Sequence, residues 1–180
     1  MVGKRLTEEE KAAERKRQRK RLAIASSVAR GIIAILVVAV ILLNVFTHVL
    51  QVVTYKGDGM EPSLSSGETL VLLRTQKVES GDIIAFYYNN QILVRRVICE
   101  GGEQVSVEPD GTVCVDGQAL KEPYLKEASV GQCNLTFPYY VQTGHVFVMG
   151  DNRVIAMDSR LKEIGPIPEE RIVGRVLFSI

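Results

Sequence analysis

Asp82-Ile83-Ile84-Ala85-Phe86-Tyr87-Tyr88-Asn89-Asn90-Gln91-Ile92-Leu93-Val94-Arg95-Arg96-Val97-Ile98 reads as a β-hairpin. Two apolar runs rich in β-branched and aromatic residues flank a pair of asparagines, a residue type that tolerates the positive φ angles of a tight reversal. Outward from this hairpin, short apolar segments recur at 68–74, 104–107, 112–115, 145–149 and 172–178. Ser65-Ser66-Gly67, Ser80-Gly81, Pro109-Asp110-Gly111 and Asp116-Gly117 supply turn chemistry between them. After Thr54 no long stretch carries the helical period. The predicted fold class is all-β, built of short antiparallel strands. Residues 121–138, with two prolines and little periodic apolar character, read as a connecting excursion.

A different pattern precedes the strands. From Gly31 to Val53 the strongly polar residues are Asn44, Thr47, His48 and Gln51, and 32–43 is unbroken Ile, Val, Leu and Ala. This predicts a single transmembrane helix over 31–53, because a bilayer core needs roughly 20 apolar residues. The run is too long for the apolar core of a cleavable leader, and Leu50-Gln51-Val52-Val53-Thr54-Tyr55 offers no small-residue cleavage site. Arg15-Lys16-Arg17-Gln18-Arg19-Lys20-Arg21 flanks it, so residues 1–30 are expected on the cytoplasmic side and 54–180 outside the cell membrane. A helical extension over 7–21 would bring cations to membrane lipid.

The net charge of +1 conceals +6 over residues 1–30 and −5 over the remainder. An acidic globular part with its cations gathered beside an apolar span argues against a nucleic-acid partner. Cys99, Cys114 and Cys133 all fall in the exported part, which allows one disulfide and leaves one thiol over. His48 and His145 lack ligand-spaced companions, so no metal site is predicted.

Gly57-Asp58-Gly59-Met60-Glu61-Pro62-Ser63-Leu64 resembles the nucleophile motif of type I signal peptidases of the Gram-positive type, membrane-bound serine proteases in which Ser precedes Met-x-Pro. Here that position is Gly59. The family's base motif, roughly Lys-Arg-Val-Ile-Gly, is matched by Arg95-Arg96-Val97-Ile98-Cys99, so the lysine is Arg95. Ser80 to Phe86 is similar to the family's Arg-Gly-Asp-Ile-Val-x-Phe strand, and Asp110 to Leu120 with Glu122-Pro123-Tyr124-Leu125 to the stretch after the base. Gly150-Asp151-Asn152-Arg153 and Asp158-Ser159-Arg160 match the structural motif near the C-terminus, with Gly174-Arg175 beyond it. The family's Gly-x-Pro-Gly-Asp becomes Cys99-Glu100-Gly101-Gly102-Glu103, and Val154-Ile155-Ala156-Met157 puts Ala156 where a serine normally hydrogen-bonds the lysine.

The resemblance implies a signal-peptidase-like β-domain behind a single N-terminal membrane helix, with no cofactor. It also implies a groove taking an extended peptide by strand addition, formed by Asp58, Met60, Glu61 and Pro62 with Ile83, Ile84, Ala85, Phe86, Leu93 and Val94. Glycine has no atom to attack with, and arginine stays charged, so neither replaces its counterpart in the dyad. The expected function is noncatalytic: binding exported proteins or signal peptides, similar to the dyad-less signal-peptidase-like proteins that assist pilus assembly with pilin and sortase. The alternative is a peptidase active through an unconventional site, with Ser63, Ser65 or Ser66 and Lys56 as its candidates. Arg95 is expected either solvated or paired with Glu100 or Glu103.

Overall fold

The computed structural model describes residues 8–180. The chain divides into two compact units, with the boundary between Thr47 and His48.

The first unit holds one helix, α1 (Glu8–Val49). It contains the expected extension as far as it lies within the described residues. Its segment Arg19–Val49 is long and apolar enough to cross a membrane, with a mean hydropathy of 2.7 over its most apolar 18-residue window. Side chains such as Ile35 and Leu43 are exposed, which water penalises and hydrocarbon does not. The Thr47 hydroxyl donates to the Leu43 and Asn44 carbonyls at 3.1 and 3.0 Å, the local way to satisfy a polar group in an apolar helix.

The predicted C-terminal bound of this helix, residue 53, needs correction. The helix stops at Val49, and 50–53 belong to a strand, β1 (Leu50–Thr54). The residue types hardly change across this boundary. What decides it is a partner: all five residues pair in antiparallel register with β2 (Thr69–Leu73), from Leu50 opposite Leu73 to Thr54 opposite Thr69.

The remaining strands are β3 (Ile83–Tyr88), β4 (Gln91–Cys99), β5 (Gln104–Val107), β6 (Val113–Val115), β7 (Gln118–Ala119), β8 (Tyr139–Tyr140), β9 (His145–Met149), β10 (Ile167–Pro168) and β11 (Ile172–Ser179). They form a seven-stranded sheet ordered β1-β2-β11-β3-β4-β9-β10 and a four-stranded sheet ordered β7-β6-β5-β8. The β3–β4 hairpin forms as expected. Asn89 and Asn90 take φ values of 47° and 59°, the left-handed geometry of a two-residue turn whose twist matches its strands.

The centre of the large sheet is buried on both faces. Ile84 and Phe86 enter one core cluster with Val97, Val148 and Ile172, while Ala85 between them enters another with Met60, Leu70 and Leu72. A third cluster, around Ile98, Val105 and Phe147, joins β4 and β9 to the small sheet. This is the period-2 alternation of a strand carried into two separate cores.

All three cysteines are free thiols. Burial pushes the Cys99 thiol up to about 12, aided by Glu103 and Asp116. At pH 8 its thiolate fraction is then on the order of 10⁻⁴, and the thiolate is the reactive form. Alkylation under native conditions should label the half-buried Cys114 and Cys133 and reach Cys99 only after urea unfolding. Equal labelling rates at all three, read by mass spectrometry, would contradict this packing.

Candidate functional site

Asp58 to Leu64 is laid onto the sheet by its own apolar residues. Met60 is fully buried and Leu64 nearly so, both in the cluster that includes Ala85 and Val94. The Met60 N–H donates to the Tyr55 hydroxyl at 3.0 Å, and the Leu64 N–H to the Met60 carbonyl at 3.0 Å. Asn152 fixes the same segment from the 150–160 turn. Its N–H donates to the Gly59 carbonyl at 3.1 Å, and its Nδ2 to the Asp58 carbonyl at 3.2 Å.

Facing Gly59 is Arg95, at the middle of β4 and only 6% exposed. Its Nε donates to the Met157 carbonyl at 2.9 Å and its Nη1 to the Val94 carbonyl at 2.6 Å. A Cβ added to Gly59 would lie 3.1 Å from Nη2, 3.2 Å from Cζ and 3.3 Å from Nη1. The guanidinium therefore packs flat on the bare Cα of Gly59. Burial lowers the Arg95 pKa, Asp158 opposes that shift, and the group remains a cation because a guanidinium titrates so far above neutrality.

Neither expected surrounding for Arg95 is found: it is buried, and Glu100 and Glu103 do not pair with it. Glu103 accepts the Glu100 N–H at 2.6 Å and Glu100 accepts the Ser80 N–H, weakly, at 3.4 Å. Both glutamates follow the end of β4, whose last residue, Cys99, is already roughly 13 Å along the strand from Arg95 at about 3.3 Å per residue.

The turn from Gly150 to Arg160 is stitched by buried ion pairs. Asp158 accepts the Gly150 N–H at 2.9 Å and binds Arg160 through Nε at 2.8 Å and Nη2 at 2.7 Å, with both side chains fully buried. Arg160 Nη1 also donates to the carbonyls of Val130 at 2.7 Å and Arg153 at 3.0 Å. Ser159 Oγ accepts the Val148 N–H at 3.0 Å. Arg153 pairs with Glu122, and Asp151 takes two hydrogen bonds from Arg96, at 2.9 and 2.6 Å. Arg96 lies 3.9 Å above the Tyr124 ring. Charged, forked hydrogen bonds of this kind fix geometry as well as adding stability.

Residues 28–180 match the family model described as signal peptidase, peptidase S26. The chain belongs to the signal peptidase family. It is 36% identical over 157 residues to a signal peptidase I of Bacillus amyloliquefaciens, covering 79% of this chain and 80% of that protein. It is 34% identical over 167 residues to signal peptidase IB of Staphylococcus aureus strain COL, covering 82% and 86%. Among solved structures, a signal peptidase I from Enterococcus faecalis V583 is similar at 32% identity and a TM-score of 0.48, covering 57% of this chain and 97% of that one.

Gly59, Arg95 and Ala156 are three positions at which the sequence departs from the motifs it resembles. Ala156 is buried against Gly150, where an added Cβ would come within 2.3 Å of the Ala156 Cβ and 2.4 Å of the Gly59 carbonyl oxygen. Gly59, Arg95 and Ala156 thus converge on one spot. Ser63 and Ser66 have other partners: Ser63 Oγ accepts from Arg96 at 3.3 Å and Ser66 Oγ from the Gly57 N–H at 3.1 Å. Ser65 interacts with Glu68. Among the described residues no lysine is hydrogen-bonded to any of them.

The expected groove needs correction on one wall. Ile84, Ala85, Phe86 and Met60 are fully buried, and β3 is paired on both sides, with Ala85 opposite Val94 on β4 and Gly174 on β11. It offers a peptide neither side chain nor strand edge there. β4 does offer an edge. The Val97 N–H donates to the Asp82 carbonyl on the β3 side, so by alternation the amides of Val94 and Ile92 point to the other side. There β9 pairs as far as Met149 opposite Arg96, and no strand lies beyond. Leu93 is half-buried, while Asp58, Glu61 and Pro62 are exposed. The unpaired edge of β4, the 58–62 segment and the exposed Met157 thus surround Gly59 and Arg95. Local sequence carried no signal for the Met157 carbonyl or the Tyr55 hydroxyl as site groups.

Proposed function

We propose that this chain is a noncatalytic, membrane-anchored member of its family that holds exported polypeptides in the cleft beside β4. The single observation that carries the reading is the guanidinium of Arg95 lying on the bare Cα of Gly59. Acyl transfer needs a hydroxyl and a group able to take its proton, and this pair supplies neither. Strand addition needs an open edge, and β4 keeps one at Ile92 and the Val94 N–H, the Val94 carbonyl being taken by Arg95 Nη1. The basic run before Arg19–Val49 supports an anchor with the β-unit on the outer face. Pilin and sortase are the partners to which the resemblance to dyad-less pilus-assembly proteins leads. Activity through an unconventional site is disfavoured because Ser63 and Ser66 accept hydrogen bonds from Arg96 and Gly57, with no lysine joined to either.

The reading is tested with the full chain in detergent carrying a photo-crosslinking residue at Met157, or as a control at Tyr140, both well exposed. A labelled signal-peptide-derived peptide should crosslink at 157 and not at 140. Equal capture at both, or none at 157, would overturn groove binding.

A further inference from the structure

Three arginines are buried: Arg95, Arg153 and Arg160. Arg153 has Glu122 and Arg160 has Asp158, whereas Arg95 has no carboxylate within ion-pair distance among the described residues. Its hydrogen bonds go to two carbonyls, through Nε and Nη1, and Nη2 has no partner. Glu68 Oε2 is the only fully buried side-chain polar atom without a partner among the described residues, so Nη2, equally unpartnered, still reaches solvent. A second donor belongs to the same spot. Among the described residues the Gly59 N–H makes no hydrogen bond, although its neighbours Met60 and Glu61 both donate. Nη2 lies 3.1 Å from where a Cβ of this same residue would stand.

A buried cation with no carboxylate of its own in ion-pair distance, Asp158 acting on it only from beyond that range, favours any anion that fits beside it. A positive charge beside two unpartnered donors here suits a group with two oxygens at the end of an extended chain. Such a chain lies along the free edge of β4, whose Val94 and Ile92 amides face the cleft. We infer that the Gly59–Arg95 pair forms a carboxylate site that receives the free C-terminus of a peptide lying along β4. The inference rests on the groove reading above and adds to it a ligand class: cleaved chains with a free α-carboxylate, in preference to uncut ones. Arg95 Nη2 and the Gly59 N–H each take one oxygen of the carboxylate. No bond is made or broken.

The experiment compares two forms of one fluorescein-labelled peptide ending in Ala-Gly-Ala, with either a free carboxylate or a C-terminal amide. Binding to the full chain in detergent is read by fluorescence anisotropy. The free acid should bind about tenfold more tightly or better, as a charge-assisted pair to a desolvated guanidinium implies. Arg95→Gln should abolish the preference, with circular dichroism confirming its fold. Equal affinities for acid and amide in the unaltered protein would overturn the carboxylate site and leave the groove standing. Binding of neither would overturn both. A preference for the acid that survives in Arg95→Gln would remove Arg95 from the site.

Discussion

Asp158→Ala is expected to lower the stability of the β-unit by about 3–5 kcal/mol, the usual cost of stranding a buried charge by removing its partner. Asp158 and Arg160 are both fully buried, and the carboxylate also holds the Gly150 N–H. The alanine variant thus loses four hydrogen bonds, two of them to the guanidinium and one to the Arg160 N–H. Thermal unfolding should fall by roughly 10 °C or more. The contrast is Asp82→Ala, which removes a 3.4 Å pair whose Arg175 side chain is 37% exposed and one exposed hydrogen bond from the Glu79 N–H. Exposed pairs contribute about 0–1 kcal/mol, so that variant should unfold near the unaltered protein. Replacing both Asp158 and Arg160 with apolar residues should recover part of the loss, because no charge is then left behind. If Asp158→Ala and Asp82→Ala melt alike, the buried network does not hold this turn.

Purified protein incubated with a signal-peptide substrate ending in Ala-x-Ala should release no product, a deficit on the order of a millionfold against a working serine peptidase. Gly59→Ser alone should not change that result, since the hydroxyl would face a guanidinium that keeps its protons. The informative variant combines Gly59→Ser, Arg95→Lys and Ala156→Ser. Position 95 is 6% exposed, and an amine buried to that degree has its pKa depressed towards the range in which it can act as a base. Measurable turnover by the triple variant, read by mass spectrometry, would establish that the cleft keeps the family's peptide register. Cleavage by the unaltered protein that disappears in Ser63→Ala would instead demand a different active centre and end the noncatalytic reading.

Much of the strand pattern was legible because local signals agreed with the fold. The Asn89-Asn90 turn, the alternation in β3 and the apolar run of β9 each need only neighbours in sequence. Leu50 to Val53 misled for a physical reason: Leu, Gln and Val continue the helix composition, and only the register with β2 makes them a strand. β7, β8 and β10 span two residues each, too few for any periodicity to register. At the site, the degenerate positions were visible by resemblance, but their surroundings were not. Arg95 reaches Met157, 62 residues away, and Arg96 reaches Asp151, 55 away, so sequence proximity pointed instead to the wrong glutamates. Nor could periodicity tell that β3, flanked by β4 and β11, has no edge to offer.

The close fit of Gly59 against the guanidinium couples the two positions. An added side chain would press on three atoms of a group tethered by two carbonyls, at 3.1 to 3.3 Å. Substitution at the two positions is therefore order-dependent: Arg95→Lys makes room for a side chain at 59 that Gly59→Ser alone has to force.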